Sequence, residues 1–482
     1  MSAPILWILF PALLGGILLP FWRGSRWMVG LAAGACLLLG LLAWLAPLET
    51  AVRIGPVSFQ ISTVLEVFGR RFVLVATDRP FLILMYLFGG IWILGARPSG
   101  APGYFPPLSL IMIALMVAAQ AVEPFLYAAL IIEMMVLISL PLLTLPGRDY
   151  ARASDPGPQN QGAKRNGVGA GIQRYLVFQT LAIPIILMAG WAAGLVEANP
   201  PGARWVIQAV LFLGLGFSIW LAVFPFYTWV PLLAQETSPY LFGFLLGLLP
   251  VGVLFIFLGF LDTYAWLRDS SLVIAGLRLT GGLMILTAGV WAAFQTDLAR
   301  LLGYAILLEN GYALLAISLH STLGVELFAA GLIPRLVAIA LWALALAIFQ
   351  KAGVRTTLDG LSGALRRYPV ASSALLLAYF SLGGLPLLAS FPVRQPLIEA
   401  LAGSSLAVAG AAVLGNLGFL LGAYRLLAVL VLSDDPAWSL GERRLDAVML
   451  VIAILVLLVI GILPGIVLRN SLGLVQVFSH LR

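Results

Sequence analysis

The 482 residues are 62% hydrophobic and only 10% charged, with a mean hydropathy of +1.06. These values lie far outside those of soluble domains and describe a polytopic helical membrane protein in contact with lipid, so the length does not divide into several soluble domains. The net charge of +7 does not point to nucleic acid, because the basic residues stand singly or in pairs between apolar runs, as topology signals do.

In chain order, Ile5 to Trp22 reads as the first span. It lacks a basic leader and a small-residue cleavage site, so it is expected to be a retained helix that starts the mature chain. A second span covers about Trp27 to Leu45, and the alternating stretch AVRIGPVSFQIS within Glu49 to Arg79 predicts a short hairpin. Further apolar runs near 80–96, 105–122, 124–146, 174–195, 204–223, 240–261, 271–295, 300–319, 325–350, 370–391, 404–432 and 446–468 bring the expectation to about fourteen spans, each near the roughly twenty residues a bilayer needs. The only long polar insertion, Gly147 to Arg174, is rich in Gly, Pro, Asn and Gln and is expected to be a flexible loop. Its GVGAGI run follows no strand and is not GxGxxG, so it does not mark a nucleotide site.

With the N-terminus outside, Arg23, Arg26, Arg97, Arg148, Arg152, Lys164, Arg165, Lys351, Arg355, Arg366 and Arg367 all fall inside, together with the long loop. An even number of spans then returns Arg482 to the outer face. The single cysteine, Cys36, and the two histidines, His320 and His480, are too few and too scattered for a disulfide, a zinc site or a bis-histidine haem. No cofactor or metal is expected, and any redox chemistry belongs to another protein.

Two apolar segments are broken. GFSIWLAVFPFYTWVPLLAQETSP (216–239) carries Pro225 and Pro231 and runs into the polar residues Gln235, Glu236, Thr237 and Ser238, while LGGLPLLASFPVRQP (382–396) carries Pro386, Pro392 and Pro396. Proline inside a membrane helix frees a carbonyl and removes a donor, which persists only where protein or water satisfies the freed groups. Both breaks are therefore expected near mid-membrane, facing each other across a polar axis and not facing lipid. A pair of interrupted helices in corresponding halves also points to a transport fold built from repeats.

Ionisable residues at membrane depth are costly and usually line an ion path. The candidates are Glu133, Glu309, Arg335, Arg394 and Glu399. Glu133 sits in LYAALIIEMMVLISLPLL without a neighbouring charge; it is either a switchable proton site, if a base on another helix faces it, or a neutral acid joining two helices. An ion pair between Glu309 and Arg335 would neutralise both, as a structural element or as a relay step. Arg394 precedes Glu399 by five residues, too many for an ideal helical pair.

These residues carry a resemblance. AVEPFLYAALIIEMMVLISLPLL, with Glu133, resembles the fifth transmembrane helix of the antiporter-like subunits of respiratory complex I and the Mrp-type cation/proton antiporters. FPFYTWVP (224–231) is similar to that family's FPFHTWLP, TDLARLLGYAILLENGY (296–312) to DxKRxLAYSSIxHMGY, and FSLGGLPLLASFPVRQ (380–395) to FSLAGIPPTAGFxGKF. The FPFxTW form makes the chain look most like the middle, M-type subunit. The resemblance implies an all-α membrane fold of two inverted five-helix repeats, divided as 1–104, 105–262, 263–432 and 433–482. It implies other membrane subunits as partners and an inner (cytoplasmic) membrane location. It also implies proton translocation within an NADH:quinone oxidoreductase-type complex, or alternatively a non-pumping structural role or a multisubunit antiporter.

The departures bear on that function. Matching GFSIW to the family's GFxxK puts Trp220 where the lysine partner of Glu133 stands, and the later family lysines fall near Val251 and Ala338. The family histidine is replaced by Glu309, and Arg394 stands at a lysine position. Arginine keeps its proton in proteins and cannot relay as lysine can.

Overall fold

In a computed structural model, the described residues are 2–482 without 22–26, 47, 49–51, 55–56, 60, 68, 145–168, 199–202, 433–437, 439, 479 and 482. Most of the expected loop 147–174 lies outside the described residues, together with Arg23, Arg26, Arg148, Arg152, Lys164 and Arg165. Its last residues depart from the expectation, since helix begins at Ala170.

The N-terminal span Ile5–Phe21 opens with a π-helical turn, Ile5–Leu9, and continues as α1 (Phe10–Leu18). α2 (Trp27–Leu45) returns, tied to it by the Trp7 indole donating to the Leu39 carbonyl at 3.1 Å. The expected hairpin is present as β1 (Val52–Ile54) paired antiparallel with β2 (Val57–Phe59). Sequence reasoning missed a second one, β3 (Val64–Val67) with β4 (Arg70–Val73), turned at Gly69 with φ of 71°. β4 also pairs with β5 (Val122–Glu123).

α3 (Arg79–Leu94), the short α4 (Ala96–Ser99), α5 (Phe105–Ala121) and α6 (Ala128–Leu143) follow. After them come α7 (Ala170–Ala198), α8 (Ala203–Trp220), the first break, α9 (Trp229–Glu236) and α10 (Pro239–Thr263). The short α11 (Ala265–Arg268) leads to α12 (Ser271–Phe294), α13 (Leu298–Ile317) and α14 (Thr322–Lys351). Another short helix, α15 (Ala364–Arg367), precedes α16 (Pro369–Leu382), the second break, α17 (Phe391–Ser404) and α18 (Leu406–Val431). The chain closes with α19 (Arg444–Ile462) and α20 (Pro464–Val475). The expected span 446–468 is thus divided, because Pro464 has no amide hydrogen with which to continue α19.

Among the described residues, ten helices are long and apolar enough to cross a membrane, and four apolar helices are shorter. Together they make a multi-pass helical membrane protein. α10 is buried along its length and α13 and α14 nearly so, whereas α2, α18 and α19 show most of their apolar surface outward. α12 and α18 cross through glycine: a Cβ on Gly289 would stand 1.9 Å from the Gly415 carbonyl oxygen. Such backbone approach replaces the hydrophobic driving force that lipid removes. Lys351, at the end of α14, donates to the Pro98 carbonyl at 3.0 Å, so Lys351 and Arg97 lie at one end of the bundle, as the positive-inside rule expects.

Candidate proton path between two helix breaks

α13 is the helix around which the charged residues collect. Asp297 caps it, accepting from the Ala299 and Arg300 amides at 2.9 and 3.0 Å. Glu309 and Asn310 come about 17 Å farther along, which is mid-membrane depth. Both are buried, at 7% and 3% exposure.

Asn310 faces the first break. Its Nδ2 donates to the Leu221 carbonyl at 3.4 Å, one residue beyond the end of α8. The chain turns there through Ala222, whose φ is 58°. The expectation that the breaks avoid the outer surface holds for Leu221, Ala222, Val223 and Trp229, which are buried, and fails for Phe224, which is 51% exposed, for Pro225, and for Pro386 and Leu387 at the second break, which are exposed. The turn satisfies much of its own backbone, with Val223 N donating to Ser218 O at 2.8 Å and Phe226 N to Val223 O at 2.6 Å, so the Phe224 side chain is free to point outward.

The polar residues after the first break act as fasteners. Glu236 accepts from the Gly171 and Ile172 amides at 2.8 and 3.2 Å and so caps α7, while Gln235 accepts from Arg300 Nε at 3.0 Å. Thr237 Oγ1 donates back to the Leu233 carbonyl at 2.7 Å.

Glu309 faces the second break. It forms an ion pair with Arg394 of α17, and both side chains are below a tenth exposed. Arg394 Nη1 also donates to Asn416 Oδ1 at 2.8 Å, and Asn416 Nδ2 donates to the Gly383 carbonyl at 2.7 Å, just past the end of α16. Gly384 has φ of 66°, and a Cβ there would stand 2.8 Å from Arg394 Cδ, so only glycine lets the guanidinium lie against the turn. The face of Tyr312 covers the same guanidinium, 4.2 Å from Cζ to the ring centroid.

Arg335 completes the group and corrects one expectation. It donates from Nη2 to Asn310 Oδ1 at 2.6 Å, and no ion pair joins it to Glu309, whose partner is Arg394. Its place follows from α14, where Pro334 precedes it inside the helix. Glu399 lies outside the group: it is exposed on α17 and accepts from Gln395 at 3.0 Å, one turn back. Asn310, Asn416 and Tyr312 were missed in the sequence. Asn416, a polar amide in the apolar run VLGNLGFLL, was the available signal.

Glu133 stands apart. Thr180 of α7 donates to its Oε1 at 2.9 Å, its Oε2 is buried without a protein partner, and among the described residues no ion pair includes it. Trp220, which the resemblance sets at a lysine position, is buried and bonded to α7: its Nε1 donates to the Gln179 carbonyl at 3.3 Å, and Gln179 Nε2 donates to the Trp220 carbonyl at 3.4 Å. Val251 and Ala338 are fully buried apolar residues.

Two sets of contacts, one at each break, therefore meet at adjacent residues of α13. One joins Leu221 to Asn310, with Arg335 bonded to Asn310, and the other passes from Glu309 through Arg394 and Asn416 to Gly383. Glu309 is the one carboxyl in these sets, and both cations are guanidinium groups, which keep their protons.

Residues 180–419 match the family model described as NADH:quinone oxidoreductase/Mrp antiporter, TM. The chain is 31% identical over 307 residues to NADH-quinone oxidoreductase subunit N 2 of Solidesulfovibrio magneticus, an alignment that spans 62% of each chain. In fold it is similar to a chain of the Mrp complex from Dietzia sp., with a TM-score of 0.78 at 18% identity and coverage of 99% of this chain and 97% of that one. It is also similar to a chain of respiratory complex I from Thermus thermophilus with bound NADH, with a TM-score of 0.76 at 20% identity and 99% coverage of both.

Proposed function

We propose, from the match of residues 180–419 to the NADH:quinone oxidoreductase/Mrp antiporter transmembrane family model, that this chain is an antiporter-like subunit of a proton-translocating NADH:quinone oxidoreductase-type complex with a degenerate proton relay. In this reading it sits in the inner (cytoplasmic) membrane among other membrane subunits, with about fourteen spans and two inverted five-helix repeats over 105–262 and 263–432. The element order supports the repeats. α8, a break, α9 and α10 in the first half have the same sequence of kinds as α16, a break, α17 and α18 in the second.

The observation that carries the proposal is the polar cluster between the two breaks, with Glu309 as its one carboxyl, held by Arg394. Arg335 and Arg394 fix charge and orient water, and Glu309 carries the proton. Glu133 and Glu399 are at the margins of the path, the first for want of a cation and the second because it is exposed. Trp220, Val251 and Ala338, all apolar and buried, favour a second reading, a structural subunit that does not pump.

Both readings meet in one experiment. In vesicles holding the assembled complex, protons moved per electron are measured for the parent and for Glu309→Gln. A strong drop with electron transfer retained is expected; an unchanged ratio supports the structural subunit.

A further inference from the structure

We infer that the cavity between α13, α14 and α17 binds one small monovalent inorganic anion, of the size and charge of a halide, beside Arg335.

Two guanidinium groups, Arg335 and Arg394, at 2% and 5% exposure, line the same cavity as a single carboxylate, Glu309, which pairs with Arg394. Neither arginine loses its proton, so with Glu309 ionised the cluster holds one uncompensated positive charge at membrane depth, where such a charge is costly unless paired. The other acidic groups on these helices do not supply the missing charge. Glu399 is exposed and bonded to Gln395, and Glu326 lies nine residues from Arg335 on α14, about 13 Å along the axis.

Arg335 Nη2 is taken by Asn310, but Nε and Nη1 are buried and have no partner in the protein. The same holds for Ser390 Oγ, at the start of α17. Arg335 and Ser390 line one cavity of about 40 Å³ together with Glu309, Tyr312 and Arg394, and the rest of its wall is apolar. A single water needs roughly 10–15 Å³ by the same measure, so a halide fits with room for a water beside it. Ser390, the N-cap of α17, is part of this wall, so the positive end of that helix's dipole lies beside the space. A divalent anion would reverse the charge of the site, and an organic anion would not fit. The anion site is independent of whether the chain pumps protons.

The test uses the purified full chain in detergent. Its unfolding temperature is followed as sodium chloride or bromide replaces sodium gluconate at constant ionic strength. A saturable upward shift is expected with chloride and bromide. Glu309→Gln should lower the chloride concentration at half-effect by roughly tenfold, since it removes the one negative charge facing the ion. Arg335→Gln should abolish the response. If that variant does not fold, Ser390→Ala should raise the half-effect concentration several-fold. Equal stability in chloride and gluconate would overturn the site and leave the cavity to water. A response unchanged by Ser390→Ala and not strengthened by Glu309→Gln would place the ion elsewhere and overturn it equally.

Discussion

Glu309 and Arg394, 85 residues apart in sequence, form an ion pair in the interior of the helical bundle. The pair joins the nearly fully buried α13 to the helix that restarts after the second break. Removing one member leaves the other without its ion-pair partner, whereas replacing both by neutral residues leaves neither position charged.

Arg394→Met is therefore expected to destabilise the chain by about 3–5 kcal/mol, and adding Glu309→Gln should recover most of the loss. Thermal unfolding of the two single variants and the double variant measures the coupling. If the single and double losses simply add, the pair contributes nothing as a unit.

Glu133→Gln is expected to leave protons moved per electron nearly unchanged. Thr180 can still donate to the amide oxygen, and no ion pair is lost. Flux measurements on the assembled complex decide this. A large loss with electron transfer intact would require a cation reaching Glu133 through water.

Gly289→Ala should markedly lower the yield and unfolding temperature of the folded chain, because the added Cβ meets the Gly415 carbonyl oxygen at 1.9 Å and forces α12 away from α18. Gly276→Ala, on the same helix with nothing within 4 Å, should be neutral or stabilising by up to ~1 kcal/mol. Equal behaviour of the two variants would remove the close crossing from the account of stability.

Asp297 allows a pH test at the membrane boundary. Burial pushes its carboxyl up, against the opposing pull of the Arg300 and Ala299 amides and the Arg300 charge. The raised value means that the folded state prefers the neutral acid. Its contribution is fully present below the ordinary carboxylate range and is lost as pH rises through the folded value. At pH 7 Asp297→Asn, neutral and still an acceptor, should be at least as stable as the parent, and that advantage should fade on acidification. Asp297→Ala, lacking the cap, should lose about 1 kcal/mol. An Asn variant less stable than the parent at pH 7 would show that the ionised cap outweighs the cost of its burial.

By itself the sequence determined that this is a multi-pass helical membrane protein, because composition and run length are local properties that a bilayer reads directly. It also located both breaks, since proline and glycine act on their own backbone, and its resemblance to the antiporter-like subunits implied a tryptophan, Trp220, at a lysine position. Pairing was decided only by tertiary structure. Glu309 and Arg335 are 26 residues apart and looked like partners, yet helix packing hands Glu309 to Arg394 and Arg335 to Asn310. Which side chains meet depends on the rotation and crossing of separate helices, and those are set by contacts such as Gly289 on Gly415 that no run of hydropathy encodes. The outward turn of Phe224 has the same origin: the backbone of the break satisfies itself, and only the folded chain shows that it does.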